Sequence, residues 1–180
     1  MGTAKCVLCC REAEVRGSNR QAAYVVRCQT CGEYRFTEEA AESLEHMNAM
    51  ERARISGVTR ERSEQGSPIG VSSARLDPPQ ENWYGITQVL QELAPGSIDE
   101  KVSRGLGNLR RKSKYLGEEI PLEPDTDYPL VFADNQNGFQ LLVDDMISHG
   151  LVQQRAHYDQ GGGTYVLTAE GWRRSERESK

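Results

Sequence analysis

The chain has 180 residues, of which 37% are hydrophobic and 27% are charged, and its formal net charge is −5. This length can hold one medium domain or two small ones. The sequence lacks an apolar run near the roughly 20 residues of a membrane span, which excludes a membrane protein, and the negative charge does not indicate a general nucleic-acid coat.

Two Cys-x-x-Cys pairs lie near the N-terminus, Cys6 with Cys9 and Cys28 with Cys31. Each such turn aims two sulfurs at one point, and two turns can complete a tetrahedron of thiolates around Zn²⁺ at about 2.3 Å. Gly32 follows the second pair and permits the positive φ that a metal knuckle favours. We predict a structural zinc ion, because four thiolates leave no open position for a reacting water.

Cys10 follows the first pair directly. We interpret it as a spare thiol, although a pairing of Cys6 with Cys10 is a possible and less regular alternative. Disulfides are the alternative for the other cysteines, and they require an oxidising compartment. Residues 1–5 have no apolar core typical of a signal peptide, so we expect a cytoplasmic protein that binds zinc.

The first third of the chain predicts a zinc ribbon. Residues 22–27 and 33–37 are rich in β-formers and predict strands on either side of the second knuckle. Thr37 and the acids that follow it predict a connector helix. We therefore assign residues 1–60 to a zinc ribbon with a connector helix. Residues 61–82 are polar and rich in Gly, Ser and Pro, which predicts a linker at the domain boundary.

Residues 83–180 predict a second domain built from short elements. In chain order, we predict helices at 83–94, 98–116, 139–149 and after residue 168, and strands at 128–132, 151–156 and 164–168. The order of helix, strand, helix and β-hairpin is typical of a winged helix-turn-helix. The predicted fold class of the whole chain is therefore α+β.

Charge is distributed unevenly along this second domain. Residues 117–154 hold eight acids and no Lys or Arg, whereas residues 101–116 hold six cations and no acid. Such a division usually indicates two surfaces with different partners, or a solvated basic helix beside acidic loops. If nucleic acid is the ligand, we expect the phosphate contacts to come from Lys101, Arg104, Arg110, Arg111, Lys112, Lys114 and Arg155.

Four segments resemble one family: residues 28–37 (CQTCGEYRFT), 53–57 (ARISG), 149–152 (HGLV) and 167–172 (LTAEGW). They are similar to the zinc-ribbon plus winged-helix region of prokaryotic defence-type proteins. In that family the region often precedes a TIR-like or nucleoside-deoxyribosyltransferase-like effector domain. The chain stops before any such domain, so the resemblance implies a stand-alone accessory or regulatory component of an anti-phage or retron-like system.

We predict that the protein is not an enzyme. His46, His149 and His157 fall in no nucleophile or metal pattern. The glycines at 161–163 lack the Lys and Ser or Thr of a phosphate loop, and a hairpin tip explains them. Neither a membrane nor a small-molecule substrate is expected as a partner.

Two binding functions are open, and the metal module and the concentrated cations favour the first of them slightly. The first is nucleic-acid binding, to DNA in preference to RNA, mainly through phosphate contacts. The helix at 139–149 opposes it, because a winged helix inserts this element in the major groove, and here it carries Asp144 and Asp145 without a cation. The second is a protein–protein adaptor that docks a separately encoded effector through the winged helix, using the acidic segment and an exposed Trp83–Tyr84 pair.

Overall fold

The computed structural model describes residues 2–18, 23–158 and 162–177, without the side chains of Ser18 and Arg177. The chain divides into two compact units, Met1–Ala94 and Pro95–Lys180. The fold class is α+β, as predicted, and the N-terminal region is rich in strands. In the described part of the chain, every helix is too short or too polar to cross a bilayer.

A six-stranded sheet, in the order β1-β2-β3-β4-β5-β6, forms the centre of the first unit. Neighbouring strands are antiparallel from β1 to β4, whereas β5 joins β4 in parallel and β6 joins β5 in parallel. The two strands predicted for the ribbon are confirmed as β3 and β4, with Ala22 outside the described residues. The strands are β1 Gly2–Lys5, β2 Glu12–Ser18, β3 Ala23–Cys28, β4 Gly32–Thr37, β5 Gly70–Ser72 and β6 Trp83–Gly85.

The predicted connector helix is two helices, α1 Glu38–His46 and α2 Ala49–Glu64. Thr37 caps α1, as its position indicated, because its side chain accepts a hydrogen bond from the Ala40 N–H at 3.2 Å. The break follows from Asn48, whose side chain accepts the Glu51 N–H at 2.9 Å and starts a new helix. Helical spacing alone does not show this second cap.

The predicted linker at residues 61–82 is part of the first unit instead. It contains the end of α2 and all of β5, and the unit extends to Ala94. Ile69 and Val71 are fully buried, because β5 fills the position between β4 and β6. A three-residue strand inside a polar segment leaves little trace in composition, which explains why the sequence placed the boundary too early.

Trp83 is not the exposed aromatic residue that we expected, since only 8% of it is accessible. It begins β6, and the Arg35 guanidinium lies 5.5 Å from the centre of its ring. The helix predicted at 83–94 begins three residues later, as the short helix α3 Ile86–Gln88 continued by a π-helical turn, Val89–Leu93.

The second unit packs helices around a three-stranded antiparallel sheet with the order β7-β9-β8. Its core includes Leu106, Leu130, Phe139 and Met146, all fully buried. The elements are α4 Ile98–Lys112, β7 Ile120–Leu122, α5 Pro124–Asp127, a 3₁₀ turn Tyr128–Val131, α6 Gln136–Ser148, β8 Val152–His157, β9 Gly163–Leu167 and α7 Ala169–Arg177.

Two predictions for this unit are wrong. The strand expected at 128–132 is the 3₁₀ turn, and β7 supplies the sheet strand instead. Asn108 on α4 donates a hydrogen bond to the Leu130 carbonyl at 2.7 Å, which satisfies this oxygen without a β-partner. Helix α4 ends at Lys112 rather than near residue 116, so Leu116 lies beyond the helix and is exposed.

The remaining elements of the second unit are confirmed within a few residues. Helix α6 corresponds to the helix predicted at 139–149, and β8 and β9 form the predicted hairpin. Thr168 caps α7 by accepting the Gly171 N–H at 3.1 Å. Residues 159–161, in the connection between β8 and β9, lie outside the described residues.

The contact between Gly70 and Trp83 yields a stability prediction. A Cβ atom at Gly70 would lie 2.3 Å from the Trp83 ring. Gly70→Ala is therefore expected to lower the free energy of unfolding by about 1–3 kcal/mol, the usual cost of overpacking. Gly17→Ala is the matched control, because a Cβ in that strand meets nothing within 4 Å. Urea unfolding followed by tryptophan fluorescence measures both, and equal midpoints for the two variants would contradict the prediction.

Candidate metal centre

The four predicted ligands converge at one end of the sheet of the first unit. The sulfur atoms of Cys6, Cys9, Cys28 and Cys31 all lie within 4.8 Å of one another. The sulfurs of Cys6 and Cys31 are 3.7 Å apart, and those of Cys9 and Cys28 are 3.5 Å apart. In a tetrahedron with metal–sulfur bonds of about 2.3 Å, the sulfurs are about 3.8 Å apart. All four cysteines are free of disulfides, so they are positioned to bind a metal ion.

The two turns that carry these cysteines have matching backbones. Gly32 follows the second pair with φ +76°, which confirms the role expected for it. Cys10 follows the first pair with φ +60°, a backbone conformation that residues other than glycine rarely adopt. Its backbone N–H donates to the Cys6 carbonyl at 2.8 Å and closes the turn. The Cys10 thiol is exposed and lies outside the group of four sulfurs.

Two hydroxyl groups lie against the sulfurs. The Tyr34 Oη atom is 3.1 Å from Cys6 Sγ, and the Ser56 hydroxyl donates to Cys31 Sγ at 3.1 Å. Burial, together with negative charge on Cys6 and Cys31, raises the pKa of Tyr34 well above its usual range. The Tyr34 hydroxyl therefore stays protonated and can donate a hydrogen bond to the Cys6 sulfur. Hydrogen bonds of this kind orient metal ligands and spread the charge of a thiolate.

The cysteines also act on one another. Hydrogen bonds from Cys31, Cys6 and Cys9 lower the pKa of Cys28. Hydrogen bonding with Cys28 raises the pKa of Cys9 and Cys31 in turn. A metal ion at this site would displace the protons of these two thiols, because a thiolate, not a thiol, is the ligand.

Helix α2 supports the second turn. The Arg60 guanidinium donates hydrogen bonds to the Gln29 and Thr30 carbonyls, and its charge pairs with Glu64 at 2.9 Å. The Ser63 hydroxyl accepts the Glu33 N–H at 2.8 Å. Arg60 is buried, and a buried cation needs such partners to be stable. The turn is therefore held from the helix side as well as by the strands.

Sequence reasoning did not identify Tyr34, Ser56 or Arg60. Tyr34 belongs to a predicted strand, three residues after Cys31, and both Tyr34 and Ser56 lie in segments that carry the family resemblance. Ser56 and Arg60 lie on one side of α2, four residues apart, a spacing that puts both on the same helix surface. That spacing could have indicated a shared neighbour, but the sequence does not identify this neighbour as the cysteine turn.

The predicted phosphate-binding cations lie in the second unit, and several are engaged within it. Lys101 is 3.8 Å from Asp134, and Arg104 is 3.6 Å from Glu100. The Arg104 guanidinium also covers the Phe132 ring at 4.4 Å. Both side chains are therefore held against their own unit. Asp134, distant in sequence, partly neutralises Lys101, and Glu100, one helical turn away, partly neutralises Arg104.

The cations at the end of α4 differ in exposure. Arg110 pairs with Glu176 at 3.3 Å and covers the Trp172 ring at 5.2 Å. Arg111 donates to Asn108 at 2.5 Å. The remaining predicted cations are the half-buried Lys112 and the exposed Lys114 and Arg155, the last of these on β8.

The exposed side of α6 combines an apolar side chain with polar and acidic ones. Asn137, Leu141, Asp144 and Ser148 are exposed at helical spacing and form one stripe, here called the α6 stripe. Leu141 is 73% exposed, more than Ile98, Tyr115 or Leu116 in the same unit. Sequence analysis identified Asp144 but missed Leu141, whose position lies off the buried stripe of Phe139, Val143 and Met146.

Comparison of the chain with protein-family models, with curated proteins and with solved structures gives no match.

The two hydroxyl donors yield a prediction for metal affinity. Tyr34→Phe and Ser56→Ala each remove one hydrogen bond to a ligand sulfur, so each is expected to weaken metal binding by about tenfold, as changes around metal ligands typically do. Competition with a chromophoric chelator measures this. Tyr24→Phe is the control, since the Tyr24 ring stacks on Phe36 at 5.3 Å in the same sheet. Unchanged affinity in both variants would show that these hydroxyls do not tune the centre.

Proposed function

We propose that the four-cysteine centre holds a structural Zn²⁺ ion. The support is the near-tetrahedral spacing of four sulfurs and the softness of the donor set, which suits zinc. Four thiolates leave no position for a reacting water, so the ion would contribute folding free energy rather than chemistry. The residues Cys6, Cys9, Cys28 and Cys31 would hold it, with Tyr34 and Ser56 as hydrogen-bond donors.

This proposal predicts one zinc ion per chain. Cys28→Ser removes a ligand that ends β3, so we expect it to lose zinc and to destabilise the first unit. Cys10→Ser is the matched control and should keep a full equivalent, because Cys10 lies outside the group of sulfurs. Elemental analysis of the purified proteins decides the outcome. A different metal in the parent protein, or loss of zinc in Cys10→Ser, would overturn the assignment.

We propose further that the second unit is a winged helix. Supporting this, α4, β7, the 3₁₀ turn and α6 come in the order expected of that fold, and the β8–β9 hairpin and α7 follow. The three strands pair in the order β7-β9-β8. In this interpretation, α6 is the helix that other winged helices present to their ligand.

The composition of the α6 stripe supports a protein partner best. We propose that the chain is a non-enzymatic adaptor that docks a protein through this stripe. Leu141 offers an exposed apolar anchor, and Asp144 lies beside it with negative charge. The complementary partner surface has an apolar pocket for Leu141 and cations facing Asp144. A separately encoded effector, as the resemblance of the sequence implies, is the partner that we expect.

The acidic side chains of α6 also disfavour phosphate contact through this helix. The helix has Asp144 and Asp145 and no Lys or Arg over its whole length. Carboxylates repel phosphates, and nucleic-acid affinity depends largely on cations that displace counterions. Arg104 and Arg110, two of the predicted contacts, are engaged with acids and aromatic rings of the unit.

Nucleic-acid binding is the second candidate, supported by two other cations. The side chains of Lys114 and Arg155 are exposed and make no ion pair within the described residues. With Arg111 and Lys112 they could contact phosphates, DNA in preference to RNA, with little sequence preference.

A paired experiment separates the two candidates. Site-specific photo-crosslinking from position 141 in the source cells should give one discrete protein adduct, and Asp144→Lys should abolish it by reversing a contact charge. Crosslinking from Ile98, which is 66% exposed on another helix, is the matched control. The adduct is identified, and its binding to the parent chain and to Asp144→Lys is measured with purified proteins. Equal adducts from positions 141 and 98 would reject the adaptor proposal. Equal affinity of the identified protein for the parent chain and for Asp144→Lys would reject it as well.

The second arm titrates duplex and single-stranded DNA at two salt concentrations. We expect no salt-dependent binding. If binding occurs, the Arg111→Ala, Lys112→Ala, Lys114→Ala triple variant should flatten the slope of log affinity against log salt by up to about 3. This variant retains Arg110, which contacts Trp172, and its melting temperature checks that loss of the Arg111 hydrogen bond to Asn108 leaves the fold intact. A flattened slope would replace the adaptor proposal by nucleic-acid binding.

A further inference from the structure

The four cysteines of the metal centre differ in their protection from solvent. Cys6 and Cys31 are 1% and 0% exposed, and the contact between their sulfurs is buried. Cys9 is half-buried, and the contact between its sulfur and that of Cys28 is only partly buried. Cys28 is 6% exposed and lines an open cleft at the surface of the first unit. A small solute can therefore approach Cys9 and Cys28, whereas the other pair is shielded.

The hydroxyl groups that contact the sulfurs divide the cysteines in the same way. Both of them, at 3.1 Å, lie against the shielded pair, Cys6 and Cys31. In the part of the chain that the structure describes, no hydroxyl group contacts the sulfur of Cys9 or Cys28. A hydrogen bond stabilises the negative charge of a thiolate, so the sulfur becomes a weaker nucleophile. Cys9 and Cys28 are therefore both the more accessible and the more nucleophilic pair.

The distance between these two sulfurs suits a bond between them. They are 3.5 Å apart, and a disulfide bond is about 2.05 Å long, so a movement of about 1.5 Å joins them. Proximity alone does not select this pair, because all four sulfurs lie within 4.8 Å of one another. Exposure and the missing hydroxyl contacts select it. Susceptibility of cysteine to oxidation follows thiolate character and exposure, and metal ligands are thiolates.

We propose that Cys9 and Cys28 form an oxidation site whose modification empties the metal centre. This inference rests on the zinc ion proposed above, and the oxidant that it requires is a peroxide. The Cys9 thiolate attacks one oxygen of hydrogen peroxide, the O–O bond breaks, and hydroxide leaves, so that Cys9 becomes a sulfenic acid. The Cys28 thiolate then attacks the sulfenic sulfur, the S–S bond forms, and a second hydroxide leaves. The two sulfurs lose two electrons in total, and the peroxide gains them.

The disulfide removes two ligands and two negative charges from the centre. Only Cys6 and Cys31 then remain as ligands, which is too few for a structural zinc site. Because a structural metal contributes folding free energy, its loss should loosen the first unit. The centre would thus respond reversibly to oxidants, since a thiol reductant restores the two thiolates.

Cys10 is the competing target, because its thiol is exposed directly after Cys9. It lies outside the group of four sulfurs, so its oxidation leaves all four ligands in place. Zinc release therefore distinguishes oxidation of the centre from oxidation of Cys10.

The test follows zinc and disulfides in the full chain. The zinc content of the reduced parent chain is measured first, hydrogen peroxide is added, and a chromophoric chelator records the released metal. We expect loss of the bound zinc, and its recovery after treatment with a thiol reductant and added zinc. Zinc that stays bound throughout the peroxide treatment would overturn this proposal alone. Absence of zinc from the reduced parent chain would overturn the zinc proposal and this one with it.

Peptide mapping identifies the bond that forms. Free thiols are blocked with N-ethylmaleimide, and trypsin then separates residues 6–11 from residues 28–35, so that a disulfide between the two turns joins the two peptides. Fragment spectra should assign the main product to Cys9 and Cys28. A main product that joins Cys6 to Cys31, or that lies within one turn, would overturn the choice of this pair.

Cys10→Ser is the matched control, because it removes the most exposed thiol and keeps the four ligands. This variant should release zinc at the rate of the parent chain and form the same disulfide. A Cys10→Ser variant that keeps its zinc in peroxide would show that oxidation begins at Cys10 and would reject direct attack on Cys9.

Discussion

The convergence of four cysteine sulfurs on one point is the constraint on which the first unit depends. The sulfurs come from two turns, and like-charged thiolates would repel one another without an ion between them. The surrounding contacts offset negative charge on the sulfurs and hold the turns in place. Tyr34 and Ser56 direct hydroxyl protons at two sulfurs, and Arg60 holds the carbonyls of the second turn. A strand and a helix thus converge on the centre, so ion binding and packing of α2 are expected to stabilise each other.

The second unit satisfies its charges in a different way. Its core is apolar and includes Leu106, Phe139 and Met146, with no comparable cluster of cysteines. Most of the cations on α4 lie over aromatic rings or beside acids, as Arg104 and Arg110 do. Burying the aliphatic stem of arginine against a ring while pairing its head is a common way to use a charged residue in packing. A basic stretch of sequence is therefore weak evidence for a phosphate-binding surface.

Surface chemistry, rather than the sum of charges, separates the binding functions. An exposed leucine beside a carboxylate suits a protein surface that is apolar at its centre and charged at its edge.

The sequence by itself determined the group of four cysteines, the α+β class and most elements with strong periodicity, because cysteine spacing, caps and apolar stripes are local properties. Helix α6 and the hairpin β8–β9 belong to this group. The tertiary structure alone decided that Ile69 and Val71 complete the sheet, that Trp83 is buried, and that residues 128–131 form a 3₁₀ turn. It also brought Ser56 to Cys31 and Arg104 to Phe132. These contacts join residues far apart in sequence, and pairing of that kind depends on packing geometry that local patterns do not encode.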